Sequence, residues 1–153
     1  MIDCAAALHQ GVFHLIVPNN GAAAAFRQPE NPGTPPPAGQ GYHAISRDGL
    51  KFDRVDDVMI PNHGRWLGNM QSEGGRLLFF GTGGGGPGQA GGVWRGSSAD
   101  GKVWQIEAAT MAVPGADPGA VRLRDGSWLV VLTGPPRPGA TEFPGRTPNN
   151  QTP

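Results

Sequence analysis

Apolar residues come in short bursts divided by turn-forming residues. Val12–Val17, Leu77–Phe80 and Trp128–Leu132 are the clearest, each four to six residues long and rich in β-branched or aromatic types. Runs this short between turn signals predict strands, because a helix of that length does not stand alone. Tyr42–Ser46 and Val93–Ser97 predict strands with mixed faces. Further strand-like pieces, Asp3–Leu8, Arg65–Gln71 and Asp117–Leu123, lie just upstream of tight turns. Glu107–Val113 is the best candidate helix, and Pro114 and Gly115 end it. The pattern predicts an all-β protein. Asn19–Gln40, with five prolines, and Gly81–Gly92, with eight glycines, predict loops.

The turns repeat. Ser46-Arg47-Asp48-Gly49-Leu50-Lys51-Phe52 returns 52 residues later as Ser98-Ala99-Asp100-Gly101-Lys102-Val103-Trp104. The shared pattern is Ser-x-Asp-Gly-x-x-aromatic. Its physics is that of a hairpin: Asp bonds nearby backbone amides, Gly takes positive φ, and the aromatic returns to the core. A second turn repeats in step at Gly11, Gly75 and Gly126. The spacings are 64 and 51 residues, and the excess in the first matches the Pro-rich insert. One unit therefore runs strand, tight turn, strand, variable loop, strand, Asp-Gly turn, strand. Four antiparallel strands at a period near 50 predict β-propeller blades. The units span about 3–56, 65–107 and 117–134 within a partial propeller over 1–134, and 135–153 is a Pro/Gly-rich tail. The alternative is two unrelated hairpins in a β-sandwich.

The two Asp-Gly segments resemble the Asp-box (BNR) hairpins of sialidase-like propellers. Asp117-Pro118-Gly119-Ala120-Val121, followed by Asp125-Gly126-Ser127-Trp128-Leu129, resembles the innermost strands of five-bladed glycosidase propellers, an architecture shared by arabinanases, β-xylosidases and sucrose-cleaving enzymes. The resemblance covers roughly residues 3–134. It implies that Asp48 and Asp100 are structural, because the Asp-box marks a fold and lies on the outer part of a blade. A closed ring of five or six blades needs roughly 250–300 residues. A chain of 153 residues supplies two to three blades and reads as part of a longer protein. Its open blade edges would favour self-association.

Composition adjusts this picture in a few places. Gly (26) and Pro (16) first suggest disorder, but many of them punctuate the repeated hairpins. Acidic and basic residues balance at 12 each, so there is no electrostatic footprint for nucleic acid. No apolar stretch is long enough for a membrane span. Cys4 is the only cysteine, which excludes an intrachain disulfide. No signal peptide is visible, and the sequence assigns no compartment; a chain shortened at its N-terminus would be expected outside the cytoplasm. Gly81-Thr82-Gly83-Gly84-Gly85-Gly86 matches G-x-G-x-x-G, but Pro87 and further glycines follow it instead of a helix, so no nucleotide cofactor is expected. Four scattered histidines, His43 and His63 among them, form no metal-ligand pattern.

Propeller ligands bind at the axis, at one end of the innermost strands, which here begin near Asp3, Asn69 and Asp117. The resemblance to five-bladed glycosidases implies paired carboxylates with separated roles at that place. Asp3 and Asp117 are the candidate catalytic residues; the bland alternative is that each caps the loop before a strand. Arg65, Trp66, Asn69 and His63 are candidate substrate contacts. Trp stacks on sugar faces, and Arg or Asn bonds hydroxyls; the alternative for Trp66 is core packing. No glutamate stands in a general-acid context. The sequence thus points to a carbohydrate-active propeller, glycoside hydrolase-like or sialidase-like, or else to a non-catalytic segment that binds a glycan or protein.

Overall fold

The computed structural model describes residues 4–19, 39–60, 65–83, 92–107 and 115–134. Ten strands make up the described chain: β1 (Ala5–His9), β2 (Val12–Pro18), β3 (Gln40–Ser46), β4 (Asp53–Met59), β5 (Arg65–Glu73), β6 (Arg76–Thr82), β7 (Val93–Ser98), β8 (Gln105–Ile106), β9 (Ala116–Arg122) and β10 (Trp128–Thr133). They form two four-stranded meanders, β1-β2-β3-β4 and β5-β6-β7-β8, and a two-stranded sheet of β9 and β10. All pairings are antiparallel. The described residues contain no helix. Of the candidate helix, only Glu107 is described, and it follows β8; the rest lies outside the described residues, as do most of the two expected loops and the whole tail. Gly81 and Thr82 belong to β6 and Gln40 opens β3, so these three residues are strand where a loop was expected. Position 81 is a glycine because the Trp94 indole packs where a Cβ would stand.

The three sheets pack in series. Strand β6 shows why its sequence is apolar without alternation. Leu77 and Phe79 face the first sheet, in a core with Ala5, Ile16, Val58, Ile60, Trp66, Met70 and Trp94. Leu78 and Phe80 face the third sheet, in a core with Val93, Ala120, Trp128, Val130 and Leu132. A strand buried on both faces needs apolar residues at every position. This three-layer series differs from the two-sheet sandwich. Strand β10 has a similar continuous run, but its second face is open: Leu129 is 49% and Val131 63% exposed.

The Asp-Gly turns form as their chemistry requires. Asp48 Oδ1 accepts the amides of Leu50 (2.9 Å) and Lys51 (3.1 Å), and Ser46 Oγ accepts that of Gly49 (2.9 Å). The second copy is the same: Asp100 Oδ1 accepts Lys102 (2.9 Å) and Val103 (3.2 Å), and Ser98 Oγ accepts Gly101 (2.9 Å). The Leu50 amide, then that of Lys51, holds the Asp48 carboxyl down at about 2, and the same kind of bonds lower Asp100. Ser98 is fully buried. Replacing it with alanine leaves the Gly101 amide and Asp100 short of a partner, so Ser98→Ala is expected to destabilise the fold by about 1–3 kcal/mol. The midpoint of urea unfolding measures this; Ser98→Ala at wild-type stability would mean the hydroxyl does not hold the turn.

Candidate functional site

The inner strands β5 and β9 run side by side with their starts at the same end. At the far end Arg122 pairs with Glu73 at 2.9 Å. At the near end Thr82, the last residue of β6, joins them. Its hydroxyl donates to the Leu67 carbonyl at 3.0 Å and accepts the Asp117 amide at 2.8 Å. Strand β1 meets β5 through His9 Nδ1, 2.8 Å from the Ser72 hydroxyl.

Asp117 lies in this near end with φ +48°. Left-handed backbone is uncommon for a residue with a Cβ, and a short carboxylate side chain tolerates it best. Its backbone is pinned in front by Thr82 and behind by Pro118, which is fully buried. The side chain is exposed; its Oδ2 lies 3.4 Å from Thr133 Oγ1, whose hydroxyl donates to the Ala116 carbonyl at 2.9 Å. Arg65 opens β5. Its carbonyl accepts the Trp94 indole N–H at 2.9 Å, and its guanidinium is exposed. Thr82 is the register partner of Arg65 and the hydrogen-bond partner of Asp117. Asp117 and Arg65 are thus both linked to Thr82, and the side chain of each is exposed.

The other expected contacts are placed differently. Trp66 is 1% exposed. Its ring packs edge-on against Phe79, Trp94 and Trp104 with centroids 4.9–5.2 Å away. Its N–H donates to the Gly39 carbonyl at 3.0 Å. The expectation of a sugar-stacking Trp66 is corrected here: no face of the indole is open, and the residue is core. Asn69 uses both amide atoms on one residue of the neighbouring strand. Its Oδ1 accepts the Ala120 amide at 2.9 Å and its Nδ2 donates to the Ala120 carbonyl at 3.2 Å. Gln71 donates to that same carbonyl. Asn69 is thus a clamp between two inner strands. It also lies deeper than Asp117, because Gly68 and Asp117 both stand five residues before the ion-paired Glu73 and Arg122. Asp3 and His63 lie outside the described residues.

Two further charged groups are committed elsewhere. Arg95 pairs with Glu107 at 3.4 Å, away from this end. The Ser127 hydroxyl, and then its amide, lower Asp125 within its own turn. Among the described residues no group of three or more His, Cys, Asp or Glu is placed to hold a metal ion, and no helix is long and apolar enough to cross a membrane. Thr82, which orders the near end, is not evident from the sequence. Its only signal was a hydroxyl residue closing an apolar strand inside a glycine tract. An exposed carboxylate can bond sugar hydroxyls, act as a base, or attack an anomeric carbon, and an exposed guanidinium can bond hydroxyls.

No protein-family model matches the sequence, and no curated protein sequence matches it. Among solved structures, the chain is similar to the Bombyx mori GH32 β-fructofuranosidase BmSUC1, with 19% identity and a TM-score of 0.63, over 86% of this chain and 29% of that one. A mutant of the same enzyme in complex with sucrose matches at 18% identity and TM-score 0.63, with the same coverage. The chain thus spans about 29% of the length of the structures it matches. GH32 enzymes are five-bladed β-propellers, and the chain has the fold of part of such a propeller, all-β with blades of four antiparallel strands.

Proposed function

We propose that this chain is part of a carbohydrate-active propeller of glycoside-hydrolase type, and that the near end of β5 and β9 is its sugar site. The observation that carries the reading is the geometry of Asp117: a strained, doubly pinned backbone presenting a solvent-facing carboxylate at the start of an inner strand. Backbone strain persists where the surroundings over-determine it, and it clusters at functional sites. The fold likeness to β-fructofuranosidases, one of them holding sucrose, supports a sugar as ligand.

In this reading Asp117 is the nucleophile or base, Arg65 bonds sugar hydroxyls, and Thr82 holds Asp117 in position. Asp3 and His63, at the starts of inner strands in the sequence, are the proposed second carboxylate and a further contact. No general acid is assigned among the described residues, because Glu73 and Glu107 are ion-paired elsewhere. That pairing favours a second reading, glycan binding without hydrolysis. The apolar outer face of β9 and β10 fits a further blade of the same propeller.

The test is hydrolysis by the protein from its complete reading frame, on a panel of β-fructosides, arabinosides, xylosides and sialosides. Asp117→Asn is expected to lower kcat by about 10²–10⁴-fold on the accepted sugar, with an unchanged circular dichroism spectrum. Equal turnover by Asp117→Asn contradicts the assignment. Sugar binding without turnover in the wild type selects the second reading, and turnover of sialosides alone selects the sialidase-like form.

A further inference from the structure

Three histidines that the proposed site does not use lie on adjacent strands of the first sheet: His9 on β1, His14 on β2 and His43 on β3. All are buried, His43 completely. The Ser98–Trp104 turn of the second sheet covers them. It fits only because residue 101 is glycine: a Cβ there would stand 2.7 Å from His43 Cε1 and 2.8 Å from His14 Nδ1. His9 ties the layers together. Its Nε2–H donates to the Ala99 carbonyl at 3.3 Å, so its Nδ1 accepts the Ser72 hydroxyl.

His14 Nδ1 and His43 Nε2 are 2.9 Å apart. The ring planes are 11° apart and the centroids 5.2 Å, which exceeds the N–N distance by two ring radii. The rings therefore meet edge to edge in one plane, nitrogen to nitrogen. Such a contact holds one proton; with two, both N–H groups would point at each other. His43 Nδ1 faces Asp56 Oδ2 at 4.0 Å and has no hydrogen-bond partner among the described residues. Lys102 Nζ holds Asp56 at 3.3 Å. The carboxylate favours a proton on His43 Nδ1, which makes Nε2 the acceptor of His14 Nδ1–H. In this tautomer His43 has no free lone pair, because Nδ1 carries a proton and Nε2 accepts from His14.

We propose that the His14–His43 pair is a proton-operated latch between the first two sheets, closed while the facing nitrogens share one proton and released from the Ser98–Trp104 turn when both rings are charged and each facing nitrogen carries its own. The groups facing the pair are Asp56 from β4, Asp100 and Lys102 from the covering turn, His9 from β1 and neutral Ser72 from β5. Burial, then the neighbouring His14, pulls His43 from 6.5 to about 4. Burial, then His9, pulls His14 down as well. Asp56 and Asp100 oppose this without overcoming it. The closed form thus binds fewer protons than the open form between about 6.5 and 4. The latch is shut above that window, and opening is favoured as pH falls through it.

The test is amide hydrogen exchange on the complete chain between pH 7 and 4.5, with intrinsic rates divided out. Protection of the Gly101 amide is expected to fall about tenfold per pH unit for each proton taken up, while Phe79 in β6 keeps its protection. The His14→Gln, His43→Gln double variant, whose amides bond but take up no proton, is expected to lose the pH dependence at Gly101. Constant Gly101 protection, an equal fall at Phe79, or an unchanged pH dependence in the double variant overturns the latch. If the variant does not fold, imidazole ¹⁵N shifts of the wild type decide. Rings that stay neutral at pH 6 and titrate together with Gly101 opening support it; rings that titrate near 6.5 with the turn still protected overturn it.

Discussion

Replacing Trp66 with alanine is expected to cost the fold about 3–5 kcal/mol, the usual penalty for removing a large buried aromatic. The indole sits between the first two sheets and touches Phe79, Trp94 and Trp104. Gly41 is glycine on its account, since a Cβ there would stand 2.6 Å from Trp66 Cδ1. Truncation leaves a cavity that the sheets cannot close, and it removes one of the two donors to the Gly39 carbonyl, which keeps the Ile60 amide. A domain of this size has about 5–15 kcal/mol in total, so the variant should unfold at much lower urea. Trp66→Phe should recover part of the loss by keeping an edge-on ring. A loss below about 1 kcal/mol for Trp66→Ala would contradict the core assignment and return the residue to the surface.

Gly68→Ala is expected to destabilise by about 3 kcal/mol or more, a large effect for one methyl group. Gly68 has φ +151°, where a residue with a Cβ is strained. The added carbon would overlap the Phe80 carbonyl oxygen, which is backbone and cannot rotate away, and would press on Pro118 Cγ at 3.1 Å. Overpacking typically costs about 1–3 kcal/mol, and the backbone strain adds to it. The position also matters for the site. Pro118 backs Asp117, so a variant that survives should shift the Asp117 carboxylate and lose turnover beyond its loss of stability. Thermal unfolding and kinetics on the same preparation separate the two effects. A Gly68→Ala protein with wild-type melting temperature would mean that β5 and β6 are not registered as described.

What could be read ahead of the structure follows the range of the interactions. The Asp-Gly turns were legible because Ser98 and Asp100 bond amides only two or three residues away, so the chemistry is complete within seven residues. The run Leu77–Phe80 was legible as a strand, but not that its two faces serve two different cores. Trp66 and Asn69 look alike in sequence: polar-tipped side chains near the start of an inner strand. Only the packing of β5 between its neighbours turns one into core and the other into a clamp on Ala120. The histidines were illegible for the same reason. His14 and His43 are 29 residues apart, and the glycine that lets them be covered is 58 residues further on. Asp117 was legible as a position, while the left-handed backbone and the Thr82 bond that hold it there were not.

The most direct measurement is a crystal structure of the protein from its complete reading frame with a bound sugar of the class it accepts. Blades in series around an axis are expected, with the sugar at the near end of β5 and β9 and within hydrogen-bond reach of the Asp117 carboxylate and the Arg65 guanidinium. A sugar bound elsewhere, with Asp117 and Arg65 untouched, would contradict this placement.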